Sequence, residues 1–159
     1  MNELKPLFSA LGLEEATTYI QSGNVVFRAD SGRADEIASL IEQGLADAYG
    51  LDIDVLLRTP AELAAVMRGN PFLDAQPDRS KLHVAFMSSK PGKDGASTLD
   101  PERSPPDEFR LSGSEIYLHF PDGSGGSKLT IDYFERRLGV RATARNWNTV
   151  TRLLELASS

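Results

Sequence analysis

The chain has 159 residues, 17 Lys+Arg against 23 Asp+Glu, a formal net charge of −6 and 40% hydrophobic residues. This suffices for one domain, or two small halves, with enough buried surface to fold. Absence of cysteine excludes disulfide scaffolds, thiolate zinc sites, iron–sulfur clusters and cysteine nucleophiles. No stretch nears the roughly 18 apolar residues of a membrane helix and no signal-peptide core opens the chain, so a cytoplasmic location with no membrane partner is the simplest reading.

Residues 4–11 place Leu4, Leu7, Phe8 and Leu11 on one helical face, with Gly12 as terminator. Strands are predicted over Thr17–Gln21 and Asn24–Arg28 around a Ser22-Gly23 turn. Ser31 then caps a helix over Ala34–Tyr49, with Ile37, Leu40, Ile41 and Leu45 on one stripe, and Asp52–Arg58 reads as another strand. Thr59, Pro60 and Glu62 form an N-cap, an N1 proline and a capping-box acid, so the next helix starts there and ends near Gly69.

The second half opens on a strand, Lys81–Ser88. Residues 90–106 form a Pro-, Gly- and Ser-rich loop with one weak helical turn near Ser97–Glu102. A hairpin follows, Asp107–Leu111 and Glu115–Phe120, turned at Ser112-Gly113-Ser114. A loop, Pro121–Gly126, leads to a helix from Ser127 to about Leu138 that stops at Gly139. A strand at Val140–Arg145 and a helix from Trp147 to Leu156 complete the chain.

The two halves echo each other. The second reads strand, crossover, strand, strand, helix, strand, the split βαβ order of a ferredoxin-like unit, and the first gives the same order without its first strand. The fold is therefore read as α+β, two tandem ferredoxin-like subdomains: residues 1–58 lacking the first strand, a connecting helix and loop over 59–80, and residues 81–159 with the C-terminal helix. In such a sheet the first strand is central, so the reading includes a truncation upstream of Met1 or another segment in that slot.

Three segments carry candidate chemistry. The loop Asp122–Thr130 holds Gly125, Gly126, Ser127, Lys128 and Thr130. Glycine amides running into a helix N-terminus, beside a lysine and hydroxyls, suit a phosphate or carboxylate. The alternative is a plain strand-to-helix connector capped by Ser127. Arg145, Asn146, Trp147 and Asn148 stand at a strand-to-helix junction, where the tryptophan either stacks on a base or closes the core. On the central strands, Leu82, Val84, Phe86, Ile116, Leu118 and Phe120 are expected to face the helices. That leaves Lys81, His83, Tyr117 and His119 on the opposite face, either open to a ligand or covered. No acid/base pair, nucleophile elbow, zincin or Rossmann pattern is present, no metal triad has recognisable spacing, and no cofactor is implied.

Thr18-Tyr19-Ile20-Gln21-Ser22-Gly23-Asn24-Val25-Val26-Phe27, Ser127-Lys128-Leu129-Thr130 and Arg145-Asn146-Trp147-Asn148-Thr149-Val150 occur together, with Asn70-Pro71-Phe72 and Glu115-Ile116-Tyr117-Leu118. In these segments the chain resembles the bacterial proteins grouped as domain of unknown function 1697, over about Met1 to Leu156. The resemblance implies two ferredoxin-related α/β subdomains and no established reaction. It also implies an apolar strand and an Arg-Gly-Ile-Asn-Val-Gly-Gly-like turn ahead of the first helix, which no residue here matches.

The leading functional reading is a binding module for a small anionic or nucleotide-like ligand, or nucleic acid. Gly125–Thr130 would hold phosphate and Arg145–Asn148 would form a second wall. Tyr19, Gln21, Ser22 and Asn24 would be presented from the first hairpin. The alternatives are an enzyme acting on a small phosphorylated or carboxylated substrate, and a protein-interaction module. Nothing in the sequence fixes an oligomeric state.

Overall fold

Local signals set most helix limits in the computed structural model, which describes residues 4–19, 24–29 and 34–158. Six helices are described: α1 (Leu4–Ala10), α2 (Ala34–Tyr49), α3 (Pro60–Arg68), α4 (Lys93–Ser97), α5 (Ile131–Leu138) and α6 (Trp147–Ser158). Six strands are described with them: β1 (Glu14–Tyr19), β2 (Asn24–Arg28), β3 (Leu82–Met87), β4 (Glu108–Ser112), β5 (Glu115–His119) and β6 (Ala142–Asn146). Two compact units divide the chain, Met1–Glu62 with Arg152–Ser159, and Leu63–Thr151.

In the first unit, β1 and β2 pair antiparallel, Thr17 opposite Val26 and Tyr19 opposite Asn24. An irregularity between Glu14 and Thr17 lengthens β1 at its start, and Glu15 there takes a positive φ of 53°. Phe8, Leu13, Ile41 and Leu45 form the core, with Phe8 edge-on to Phe27 at 5.3 Å. Leu40, expected on the apolar stripe of α2, is instead 43% exposed. The predicted turn Ser22-Gly23 and the predicted cap Ser31 lie outside the described residues.

The expected strand Asp52–Arg58 does not form. A run of β-formers becomes a strand only where a neighbour receives its backbone groups, and the sheet of this unit contains β1 and β2 alone among the described residues. Val55 and Leu57 still pack on the core, and the Val55 amide donates to the Glu42 carboxylate at 2.7 Å. The capping box is formed as predicted: Thr59 N–H donates to Glu62 Oε1 at 2.8 Å, and Glu62 N–H to Thr59 Oγ1 at 3.1 Å.

The second unit is a four-stranded antiparallel sheet in the order β4-β5-β3-β6, with α4 after β3 and α5 after β5. Register decides its faces. Leu82 stands opposite His119, and His83 opposite Leu118 and Asn146. Leu82, Val84 and Phe86 therefore share a face with Tyr117 and His119, while His83, Ala85 and Met87 share the other with Ile116 and Leu118. The expected grouping of His83 with Tyr117 and His119 is thus wrong by one residue of register.

Both faces are covered. Ala85, Met87, Ile116, Leu118 and Phe120 pack on Leu129, Tyr133, Phe134 and Leu138 from α5 and the segment before it. On the opposite face, Tyr117 donates its hydroxyl to the Val66 carbonyl of α3 at 2.8 Å, and the Phe72 ring lies 5.5 Å from that of His119.

Two helix starts differ from expectation. The weak turn placed near Ser97–Glu102 is α4, several residues earlier, because the residue before Pro101 is disfavoured in helical conformation. The helix expected from Ser127 begins at Ile131 instead, capped by Thr130, whose Oγ1 accepts the Tyr133 amide at 3.1 Å. Its end is as predicted, with Gly139 left-handed at φ 67° and its N–H on the Glu135 carbonyl.

Candidate functional site

Because Thr130 takes the cap, the glycines of the preceding loop do not run into a helix N-terminus. Ser127 is folded into the loop itself: its Oγ accepts the Leu129 amide at 3.1 Å, and its N–H donates to the Ser124 carbonyl at 3.2 Å. The Lys128 amide donates to Ser104 Oγ at 3.1 Å. Leu129 is buried, which draws the segment onto the core before the helix starts. Gly125 and Gly126 remain exposed, and Gly126 has φ 84°, open to glycine at little cost.

A different basic cluster forms beside this loop. Arg136 and Arg137 lie three and four residues after Tyr133 in α5, hence on the same side of the helix. Arg103 arrives from the proline-rich loop and donates Nε to the Lys128 carbonyl at 2.9 Å. Its guanidinium carbon sits 4.0 Å from the centre of the Tyr133 ring, and that of Arg137 sits at 5.6 Å. Tyr133 is buried and fixed, its hydroxyl accepting the Asp100 amide at 2.9 Å. Arg136 Nε pairs with Asp132 at 3.1 Å across an exposed turn.

Arg103, Thr130, Asp132, Tyr133, Arg136 and Arg137 together line a cavity of about 180 Å³. Among the described residues, neither Arg103 nor Arg137 pairs with a carboxylate. Three guanidiniums against one carboxylate leave two positive charges in excess at a concavity, in a chain of net charge −6. Planar guanidinium forks offer paired N–H donors matched to phosphate and carboxylate oxygens. A second cavity, about 270 Å³, is lined by Pro101, Glu102, Pro105, Pro106, Asp107, Glu108 and Phe109. Its acids and lack of basic groups give it the opposite preference.

The remaining predicted residues are distributed elsewhere. Trp147 is 4% exposed, so of its two readings the structure takes the core one. Arg145 stands opposite Val84, on the sheet face away from α5, and bonds through Nη1 to Thr143 Oγ1 and the Ala144 carbonyl at 2.7 and 2.8 Å. Burial lowers its pKa from the ordinary guanidinium value. Asn146 donates to the Ser80 carbonyl at 3.2 Å and accepts the Asn148 amide at 2.8 Å, a local cap of α6. Asn24 is buried in the first unit, Gln21 and Ser22 lie outside the described residues, and of Tyr19 only the strand position is described.

His119 is buried and His83 half-buried, both for structural reasons. His119 is held between Glu108 Oε1 on Nδ1 and Gln76 Nε2 on Nε2, both at 3.1 Å, and the amide donor assigns its proton to Nδ1. His83 rests edge-on to Phe120 at 5.2 Å, with no partner for Nδ1 among the described residues. Burial lowers its pKa below the ordinary imidazole value. Among the described residues no group of three or more His, Asp or Glu could hold a metal ion, and no helix is long and apolar enough to cross a membrane.

The arginine cavity is what sequence reading missed. Arg136 and Arg137 following Tyr133 at i+3 and i+4 are a usable signal; Arg103 comes from a distant loop and leaves no local pattern.

Architecture and comparison agree on class: a mixed α+β protein with two antiparallel sheets. The conserved bacterial protein SP0830 from Streptococcus pneumoniae has a similar structure, at a TM-score of 0.72 and 21% identity, covering 100% of this chain and 89% of that one. The family described as protein of unknown function (DUF1697) matches residues 1–117, and the chain belongs to that family. A search of curated proteins gave no match.

Proposed function

We propose that the second unit is a cytoplasmic, ferredoxin-like module that binds a small anionic ligand in the cavity of Arg103, Arg136 and Arg137, beside the Gly125–Thr130 loop. The strand order β4-β5-β3-β6, with helices after β3 and β5, supports the ferredoxin-like reading of this unit. The hairpin β1-β2 followed by α2 supports a related reading of the first. The observation that carries the proposal is a cavity lined by three arginines and a single carboxylate, with the Arg103 and Arg137 guanidiniums both over the Tyr133 ring.

Thr130 adds a hydroxyl whose oxygen accepts the Tyr133 amide, leaving its proton to donate. Lys128 is exposed and its carbonyl holds Arg103, which ties the Gly125–Thr130 loop to the cluster. Arg145, Asn146, Trp147 and Asn148 take no part, being committed to the strand, the helix cap and the core.

Calorimetric titration with pyrophosphate at low and high salt tests the reading. Binding should weaken with salt, because the contacts are ionic and partly exposed, and should be lost in Arg103→Ala/Arg137→Ala. Binding that is indifferent to both salt and these substitutions contradicts the proposal.

A further inference from the structure

We infer that the arginine cavity selects a phosphomonoester dianion and leaves the rest of the ligand in solvent, an inference that rests on the anion-binding reading above. Size is the first argument. About 180 Å³ is below the roughly 300–1,000 Å³ of sites that enclose a whole small molecule. A phosphoryl group enters such a space; a nucleoside does not.

Donor geometry is the second. Arg103 and Arg136 each commit Nε to an internal anchor, the Lys128 carbonyl and the Asp132 carboxylate. Both pairings use Nε and leave the terminal Nη groups as donors, and the Tyr133 ring beneath Arg103 further positions that guanidinium. Arg137, without a carboxylate partner among the described residues, supplies a third fork, and Thr130 a hydroxyl. A terminal phosphoryl group has three oxygens to meet them, whereas a diester has two.

Charge is the third. The two positive charges in excess match a phosphomonoester, which carries close to two negative charges at neutral pH, better than a singly charged diester. Aromatic recognition is missing in compensation. Tyr133 is 6% exposed with Arg103 over its ring, and Trp147 is 4% exposed, so neither offers a free face to a base. Internal phosphates of a nucleic acid thus have neither the charge nor the stacking they would need here.

The test compares glycerol 3-phosphate and a phosphoserine peptide with dimethyl phosphate, using the full chain and amide chemical-shift titration. Both monoesters should bind about tenfold or more tighter than the diester. A peptide preference would identify a phosphorylated protein side chain as the source; equal binding would identify the phosphoryl group alone; each supports the inference. Asp132→Asn provides a gain-of-affinity control that misfolding cannot mimic: removing the opposing carboxylate should tighten monoester binding about threefold or more. Equal affinity for monoesters and diester, or no gain in Asp132→Asn, overturns the inference while leaving anion binding intact. No binding of any anion overturns both.

Discussion

Replacing Tyr117 by phenylalanine and Gly69 by alanine, separately and together, probes how α3 is held on the sheet. Tyr117 is 3% exposed, and its hydroxyl donates to the Val66 carbonyl at 2.8 Å. Burial, and then the charge of Glu115, raise its pKa above the ordinary phenol value, so the hydroxyl stays protonated as a donor. Tyr117→Phe removes one buried hydrogen bond, at a cost of about 1 kcal/mol. Gly69 does not require the left-handed region, but a Cβ there would lie 2.7 Å from the Tyr117 hydroxyl oxygen and 3.3 Å from the Ala65 carbonyl. Gly69→Ala should therefore overpack the contact and cost about 1–3 kcal/mol.

In the double variant the hydroxyl is gone and the new methyl occupies its space. The double should then be less destabilised than the sum of the singles, by about 1 kcal/mol or more. Urea unfolding followed by the fluorescence of Trp147, the single tryptophan and itself buried, measures all three variants in the same unit. Additive losses would show that Tyr117 and Gly69 do not share this contact and would refute the placement of α3.

Two further outcomes follow from local features. Thr59→Ala removes an oxygen that accepts the Glu62 amide, and should destabilise the chain by about 1 kcal/mol in chemical denaturation, with Thr59→Ser restoring most of it. His83 has its folded pKa below the ordinary 6.5, so as pH falls through 6.5 the unfolded chain takes up the proton first and stability declines. His83→Phe should flatten that part of the stability–pH curve relative to wild type, and an unchanged curve would dissociate it from His83.

Features encoded within a few residues were legible in the sequence. The Thr59-Pro60-Glu62 capping box, the Gly139 stop and the hairpin turning at Gly113 each depend on neighbours in the chain. Features decided by partners were not. Ser127 and Thr130 are both competent caps; burial of Leu129 between them gives the cap to Thr130 and leaves Ser127 to the loop. Asp52–Arg58 has strand composition and no ladder. His83 and His119 appear equivalent until the antiparallel register sets Leu82, not His83, opposite His119.

The candidate site shows the same divide. Of the predicted loop only Thr130 lines the cavity, and the cations there include Arg103, carried in from a distant segment whose course depends on Ser104 and Lys128. Arg145 and Trp147 stood out by residue type, but strand parity puts Arg145 on the sheet face away from α5 and Trp147 is buried, neither of which the sequence pattern reveals.

Titration of the isotopically labelled chain with inorganic phosphate, monitored residue by residue, tests the binding site most directly. Saturable shifts should map to Arg103, Thr130, Asp132, Tyr133, Arg136 and Arg137, with the amides of Gly125 and Gly126 at the margin and Arg145–Asn148 unaffected. Saturable shifts centred on Arg145–Asn148, or none at the three arginines at millimolar phosphate, would contradict it.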